Sequence, residues 1–167
     1  MSHGFAGGHL TVDSADSEYK TKLPYQYLTD DGSSFLADAI PEVGQPIRAA
    51  VFNFVDDTLY LTAKPQDLTD ETIDSWRQFY QYVDTLTVGD TITGVVAKSM
   101  PFGLFVDIGS PYVGLIDIGH TSISRGVQLP GDIGSRPKVG EEIRCIIGYI
   151  RFHGRQIGLG WLPEPGA

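Results

Sequence analysis

Hydrophobic positions along this chain recur mostly at a period of two, the mark of half-buried strands. "VGQPIRAAVFNF" and "DDTLYLTAK" are β-rich runs flanking Asp56 and Asp57, and they predict a hairpin. Further on come "DTITGVVAKS", "GLFVDIG" and "YVGLIDIG", then the polar stretch "HTSISRGVQLPGDIGSRP". "EEIRCIIGYIR" and "RQIGLGW" close the series, turning at His153 and Gly154. Five strands with a long excursion after the third predict a Greek-key OB barrel. Near Gly148 the phase slips: Ile143, Cys145 and Ile147 alternate, and then Ile150 is apolar. A bulge is expected there, since a strand that wraps a barrel needs one.

One stretch departs from this period. In "LTDETIDSWRQFYQYVDTL", Ile73, Trp76, Phe79 or Tyr80, and Val83 recur at three and four, which predicts a helix over 69–85. Thr69 is placed to cap it, and Asp70 and Glu71 suit the positive end of the helix dipole. Its aromatic stripe is read as packing. Upstream, "HLTV", "YQYL" and "SFLADAI" are short apolar pieces separated by polar turns.

The chain also echoes itself. "EVGQPIRAAVFNF…DDTLYLTAKP" lines up with "KVGEEIRCIIGYI…GRQIGLGWLP" when the second turn is allowed two extra residues. Ile47-Arg48 then matches Ile143-Arg144, and Leu59 and Leu61 match Ile157 and Leu159. The expected organisation is mainly β. A loose N-terminus spans 1–8, and an abbreviated, acidic OB-like domain spans 9–66. A linker helix at 67–85, an OB barrel at 86–163 and a tail at 164–167 follow.

Charge sharpens this division. Residues 1–85 hold 14 Asp and Glu against 5 Lys and Arg, which accounts for the chain's whole net charge of −9, while residues 86–167 hold 7 of each. The first half should repel a phosphate backbone and suits a basic protein partner; the second is permissive to nucleic acid. The single cysteine, Cys145, excludes an internal disulfide framework and reads as a buried apolar residue. No apolar run approaches the ~18 residues of a membrane span, and the start lacks the features of a secretion signal, so a cytoplasmic location is expected. His3, His9, His120 and His153 have no metal-ligand spacing, and the glycines of "GRQIGLG" lack the strand–turn–helix setting of a phosphate cradle. Neither an enzyme nor a cofactor or metal site is expected.

"SMPFGLFVDIG" raises a question of its own, because Phe105 falls on the face opposite Leu104 and Val106, with Phe102 just before the turn. Together with "VGDTITGVV", "GLIDI" and "VGEEIRCIIGYI…GRQIGL", it makes Val88 to Leu162 resemble the S1 RNA-binding domain. That OB-fold module is repeated in the S1 protein of the bacterial small ribosomal subunit and occurs in exoribonucleases and initiation factors. The Trp76 helix after "LYLTAK" is similar to the connections between those ribosomal repeats.

The resemblance implies single-stranded RNA as partner, without catalysis, in a translation-associated bacterial protein. It places stacking rings at Phe102 and Phe105, and a basic residue of the last hairpin at Arg155. The family's third-strand histidine is replaced by Asp117 and its aspartate after the fourth strand by Arg151, a swap that would let the two pair. His120 or His153 is left to supply the missing histidine. Lys98, Arg151 and Arg155 are the expected phosphate contacts, with Arg125, Arg136, Lys138 and Arg144 read as solvated. Tyr112 is a further stacking candidate, with Tyr149 and Trp161 behind it. Two alternatives stay open: Phe105 is covered by the helix or first domain, or the protein is an adaptor whose acidic residues 1–85 dock a basic protein.

Overall fold

The computed structural model describes residues 9–13, 17–30 and 40–164. The expected loose terminus at 1–8, nearly all of the "SFLADAI" piece and the last residues of the tail lie outside them. The chain divides into two compact units, residues 1–78 and 79–167. No helix among the described residues is long and apolar enough to cross a membrane.

The first unit contains a four-stranded sheet of β1 (His9–Thr11), β2 (Lys20–Pro24), β3 (Ala50–Val55) and β4 (Thr58–Thr62), in the order β1-β2-β4-β3. β2 and β4 run parallel; the other pairs are antiparallel. The β3–β4 hairpin turns as expected at Asp56 and Asp57, whose φ values of 49° and 56° are those of a two-residue turn matching strand twist. "YQYL" is a 3-10 turn at Tyr25–Tyr27, and the strand lies just before it. Leu23, Phe52 and Leu61 are buried, with the polar Thr21, Thr58 and Thr62 beside them.

The predicted helix is α1 (Asp70–Val83). The Thr72 N–H donates to Thr69 Oγ1 at 3.3 Å, so Thr69 caps it as read. The boundary between units falls inside α1, because Phe79 is fully buried in the barrel core and Tyr80, Tyr82 and Val83 pack around it.

The second unit is a closed barrel of β5 (Thr91–Met100), β6 (Gly103–Asp107), β7 (Gly114–Asp117), β8 (Glu142–Arg151) and β9 (Gln156–Leu162), in the order β5-β6-β7-β9-β8. β7 and β9 are its one parallel pair. Val96, Leu104, Val106, Ile116, Ile143, Cys145, Ile147, Ile157 and Leu159 fill the interior. Register shifts between Ile147 and Tyr149, so the bulge is at Gly148 and Ile150 returns to the inner side opposite Ile157. A second bulge, between Val96 and Lys98 on β5, was not anticipated.

Candidate nucleic-acid interface

Because side chains alternate across a strand and paired residues share a face, the ladders define which residues stand together outside the barrel. Val96 pairs with Val106 inside; after the bulge, Lys98 is opposite Phe105. Phe105 in turn pairs with Leu115, Leu115 with Gly158, and Gly158 with Tyr149. One transverse row, Lys98–Phe105–Leu115–Gly158–Tyr149, therefore crosses all five strands on the outer surface. Both bulges are needed to bring its two ends, Lys98 and Tyr149, into line.

Phe102 leans on this row from the β5–β6 turn. Its ring meets that of Phe105 edge-on, with centroids 5.9 Å apart and planes at 89°. Such a pair is worth about 0.5–1.5 kcal/mol beyond burial and holds both rings in place. Phe102 stays 46 % exposed and Phe105 is half-buried, whereas Leu115, in the middle of the row, is 3 % exposed. The face is thus a floor of Leu115 with aromatic edges raised on either side.

The glycines of "IGLGW" now have a reason. Ile157 and Leu159 point inward, so Gly158 and Gly160 face out. A Cβ at Gly158 would sit 2.4 Å from the Tyr149 ring, and one at Gly160 would sit 2.4 Å from the Ser124 carbonyl and the Gly126 N–H nitrogen. The first glycine seats an aromatic ring; the second lets the long loop cross the barrel, where Val127 bridges to Trp161.

Polar groups gather at the Tyr149 end. His120 Nδ1 lies 3.0 Å from the Tyr149 hydroxyl and 3.7 Å from Asp117 Oδ2, and its ring meets Tyr149 edge-on at 5.7 Å. Asp117 Oδ1 accepts the Gly119 N–H at 2.7 Å. Burial pushes the Tyr149 hydroxyl above its ordinary pKa; the Asp117 charge adds to the rise and that of Arg151 opposes it. The expected Asp117–Arg151 pair is not formed. Asp117 faces His120 instead, and Arg151 Nη1 donates to Gln156 Oε1 at 3.4 Å, across its own hairpin. His120, rather than His153 in the exposed turn, is therefore the histidine of this cluster.

Two other expected residues have neighbours outside this row. Tyr112 packs its ring edge-on against Phe79 at 4.9 Å and tilted against Tyr82 at 5.2 Å, so it belongs, half-buried, to the α1 end of the core. Arg155, with φ of 49° in the β8–β9 turn, acts on the half-buried Tyr80, whose pKa burial raises and the Arg155 charge lowers. Arg136, read as solvated, is buried.

Residues 85–151 match the family described as S1 RNA binding domain. Among solved structures the chain is similar to GSP13 from Bacillus subtilis, at 24 % identity over 50 % of this chain and 65 % of that one, with a TM-score of 0.38. It is similar to the uncharacterized protein MJ1198 from Methanocaldococcus jannaschii at 21 % identity, over 48 % and 97 % of the two chains, with a TM-score of 0.37. A multidomain protein with nucleic acid binding domains from Streptococcus pneumoniae aligns at 13 % identity over 93 % of this chain and 46 % of its own length, with a TM-score of 0.34. The chain thus spans less than two thirds of GSP13 and under half of the Streptococcus protein. No curated protein matches the sequence. The barrel unit carries an S1 RNA binding domain with the OB fold.

Proposed function

We propose that this protein binds single-stranded RNA, without catalysis, on the outer row of its barrel. The observation that carries the reading is the raised, edge-paired Phe102 and Phe105 beside Lys98. Unstacked bases can lie on such rings whatever their identity, at about 1–3 kcal/mol per base, while the lysine takes a phosphate. Tyr149 offers a third ring at the far end of the row. Asp117 and His120 set that end apart as a place for a base edge, since a carboxylate accepts hydrogen bonds and repels phosphate. Arg151 and Arg155, on the last hairpin, supply the remaining positive charge for the backbone. A cytoplasmic, translation-linked role fits such a module.

Fluorescence anisotropy of a labelled ten-nucleotide RNA tests this. The wild-type chain should bind with an affinity that falls as salt rises, and Phe105→Ala should weaken binding roughly 5- to 100-fold, the equivalent of one lost stack. Equal binding by the two proteins would remove the row as the site.

A second reading rests on the charge of residues 1–85, where the chain's acidity is concentrated. There the first unit docks a basic protein and the barrel acts as a spacer. Reversing Asp56 and Asp57 to lysine separates the readings. It should leave RNA affinity unchanged or slightly higher under the first, and abolish partner capture under the second.

A further inference from the structure

Arg136, in the long loop between β7 and β8, is only 3 % exposed. Its Nε donates to the Pro130 carbonyl at 2.8 Å and its Nη1 to the Met100 carbonyl at 2.7 Å. Nη2 reaches the carbonyls of Pro101 at 3.2 Å and Gly131 at 3.4 Å. The partners of this buried charge are thus four backbone carbonyls from two separate turns, with no carboxylate among them. Burying a guanidinium is costly unless its donors are satisfied, and the planar fork meets several acceptors at once in a way that an ammonium cannot.

The location gives the arrangement its meaning. Met100 and Pro101 immediately precede Phe102, and the Phe102 carbonyl accepts the Ile118 N–H at 3.0 Å. The turn that raises the Phe102 ring is therefore gripped from one side by Ile118, just past β7, and from the other by Arg136. Without the guanidinium, the Met100 and Pro101 carbonyls lose a buried donor and the turn loses its tie to the long loop.

We propose that Arg136 is the positioning residue of the aromatic ledge. It holds Phe102 edge-on to Phe105 without touching RNA, so through this side chain the long loop acts on the Phe102 end of the RNA face. The proposal rests on the RNA-binding reading above, and its test keeps the two separable.

In the full chain, Arg136→Met should weaken binding of the labelled ten-nucleotide RNA by about as much as Phe102→Ala, roughly fivefold or more. In the Phe102→Ala background it should add almost nothing, because residues acting through one another couple. The dependence of affinity on salt should keep its slope, since no phosphate contact is lost. Amide exchange at Ile118 should speed up while that at Ile147, in the barrel wall, stays slow. Arg136→Lys, which keeps the buried charge but not the fork, should follow Arg136→Met, and it carries the test where the methionine variant does not fold. Wild-type affinity in both variants, or a loss fully additive with Phe102→Ala, would overturn the proposal. Should the wild type itself ignore RNA, the functional reading falls. The Ile118 exchange then decides the role of Arg136 alone, and unchanged exchange sinks it.

Discussion

The first unit's sheet runs β1-β2-β4-β3 and the barrel runs β5-β6-β7-β9-β8, so the first matches the last four positions of the second. In each, the second and third matched strands are the parallel pair. The β3 bulge spans Phe52 and the β8 bulge spans Gly148, 96 positions apart, as are Ile47 and Ile143 in the sequence echo. Inward pairs correspond too: Leu10–Leu23 with Leu104–Ile116, and Val51–Leu61 with Ile147–Leu159. Outward, the likeness stops. Where the barrel has Phe105–Leu115–Gly158–Tyr149, the first sheet has Thr11–Lys22–Tyr60–Asn53. Packing is repeated and surface chemistry is not, as expected where inner positions answer to core volume and outer ones to a ligand.

The largest effect should come from exchanging residues where the long loop crosses the barrel. Gly160 pairs with Ile146, and its counterpart Thr62 pairs with Ala50. Thr62 is fully buried, and its Oγ1 donates to Asp67 Oδ2 at 2.6 Å, so the first sheet uses a side chain where the barrel needs none. Gly160→Thr would drive a Cβ into the loop backbone and should destabilise the barrel by about 3 kcal/mol. Thr62→Gly should cost the first unit about 1–2 kcal/mol through the lost buried bond. Amide exchange in β4 and β9 reads the two units separately, and a cost under about 1 kcal/mol for Gly160→Thr would deny that the loop is tightly seated.

Next comes the ledge. Phe105→Thr installs the residue that the first sheet has at the same place and should remove about 1–3 kcal/mol of RNA affinity. The reverse change, Thr11→Phe, should add nothing measurable, because the row beyond that position runs Lys22–Tyr60–Asn53 in place of Leu115–Gly158–Tyr149. A gain in affinity there would mean that a lone ring suffices and the row does not matter.

Cys145 offers a smaller, pH-dependent contrast, since its counterpart 96 positions earlier is Ala49. Burial pushes the Cys145 thiol up to about 12 from its ordinary 9.0. Between those values the unfolded chain has lost a proton that the folded chain keeps. The resulting stability is complete below pH 9 and falls by about 1.4 kcal/mol per pH unit as pH rises toward 12. Denaturant midpoints for Cys145→Ala should lack that share of the alkaline decline. An identical decline in both proteins would show that the thiol ionises while folded.

What the residues disclosed in advance follows the same line between packing and surface. The β5–β9 strands, the long loop, the Gly148 bulge and the Thr69 cap were legible, because each is written in local alternation or capping chemistry. β2 was not: in "KTKLP" the inward positions are Thr21 and Leu23, and one of the two is polar, so no apolar alternation announces it. Phe102 and Phe105 stood out because a ring on an outer position needs a reason. Tyr149 stood out less, since its partnership with Gly158 depends on the register that the bulge imposes. The Asp117–Arg151 pairing failed because sequence gives charge but not reach, and His120 was nearer. Arg136 looked like any loop arginine, for nothing local says that four carbonyls converge on it.

The smallest expected effect tests the end of the row where sequence and register agree least. Lys98 reaches Phe105's flank only because β5 bulges after Val96. Lys22 occupies the corresponding row of the first sheet without a neighbouring phenylalanine, between Thr11 and Tyr60. If a lysine matters only as a phosphate contact beside stacked bases, Lys98→Ala should reduce the slope of log affinity against log salt by about 0.7, the value for one contact on a single strand. It should weaken binding only a few-fold at moderate salt. Lys22→Ala should leave both quantities alone, although it removes the same charge from a more acidic unit. Equal changes from the two substitutions would mean that the chain attracts RNA by overall charge, and the bulge on β5 would then lose its functional meaning.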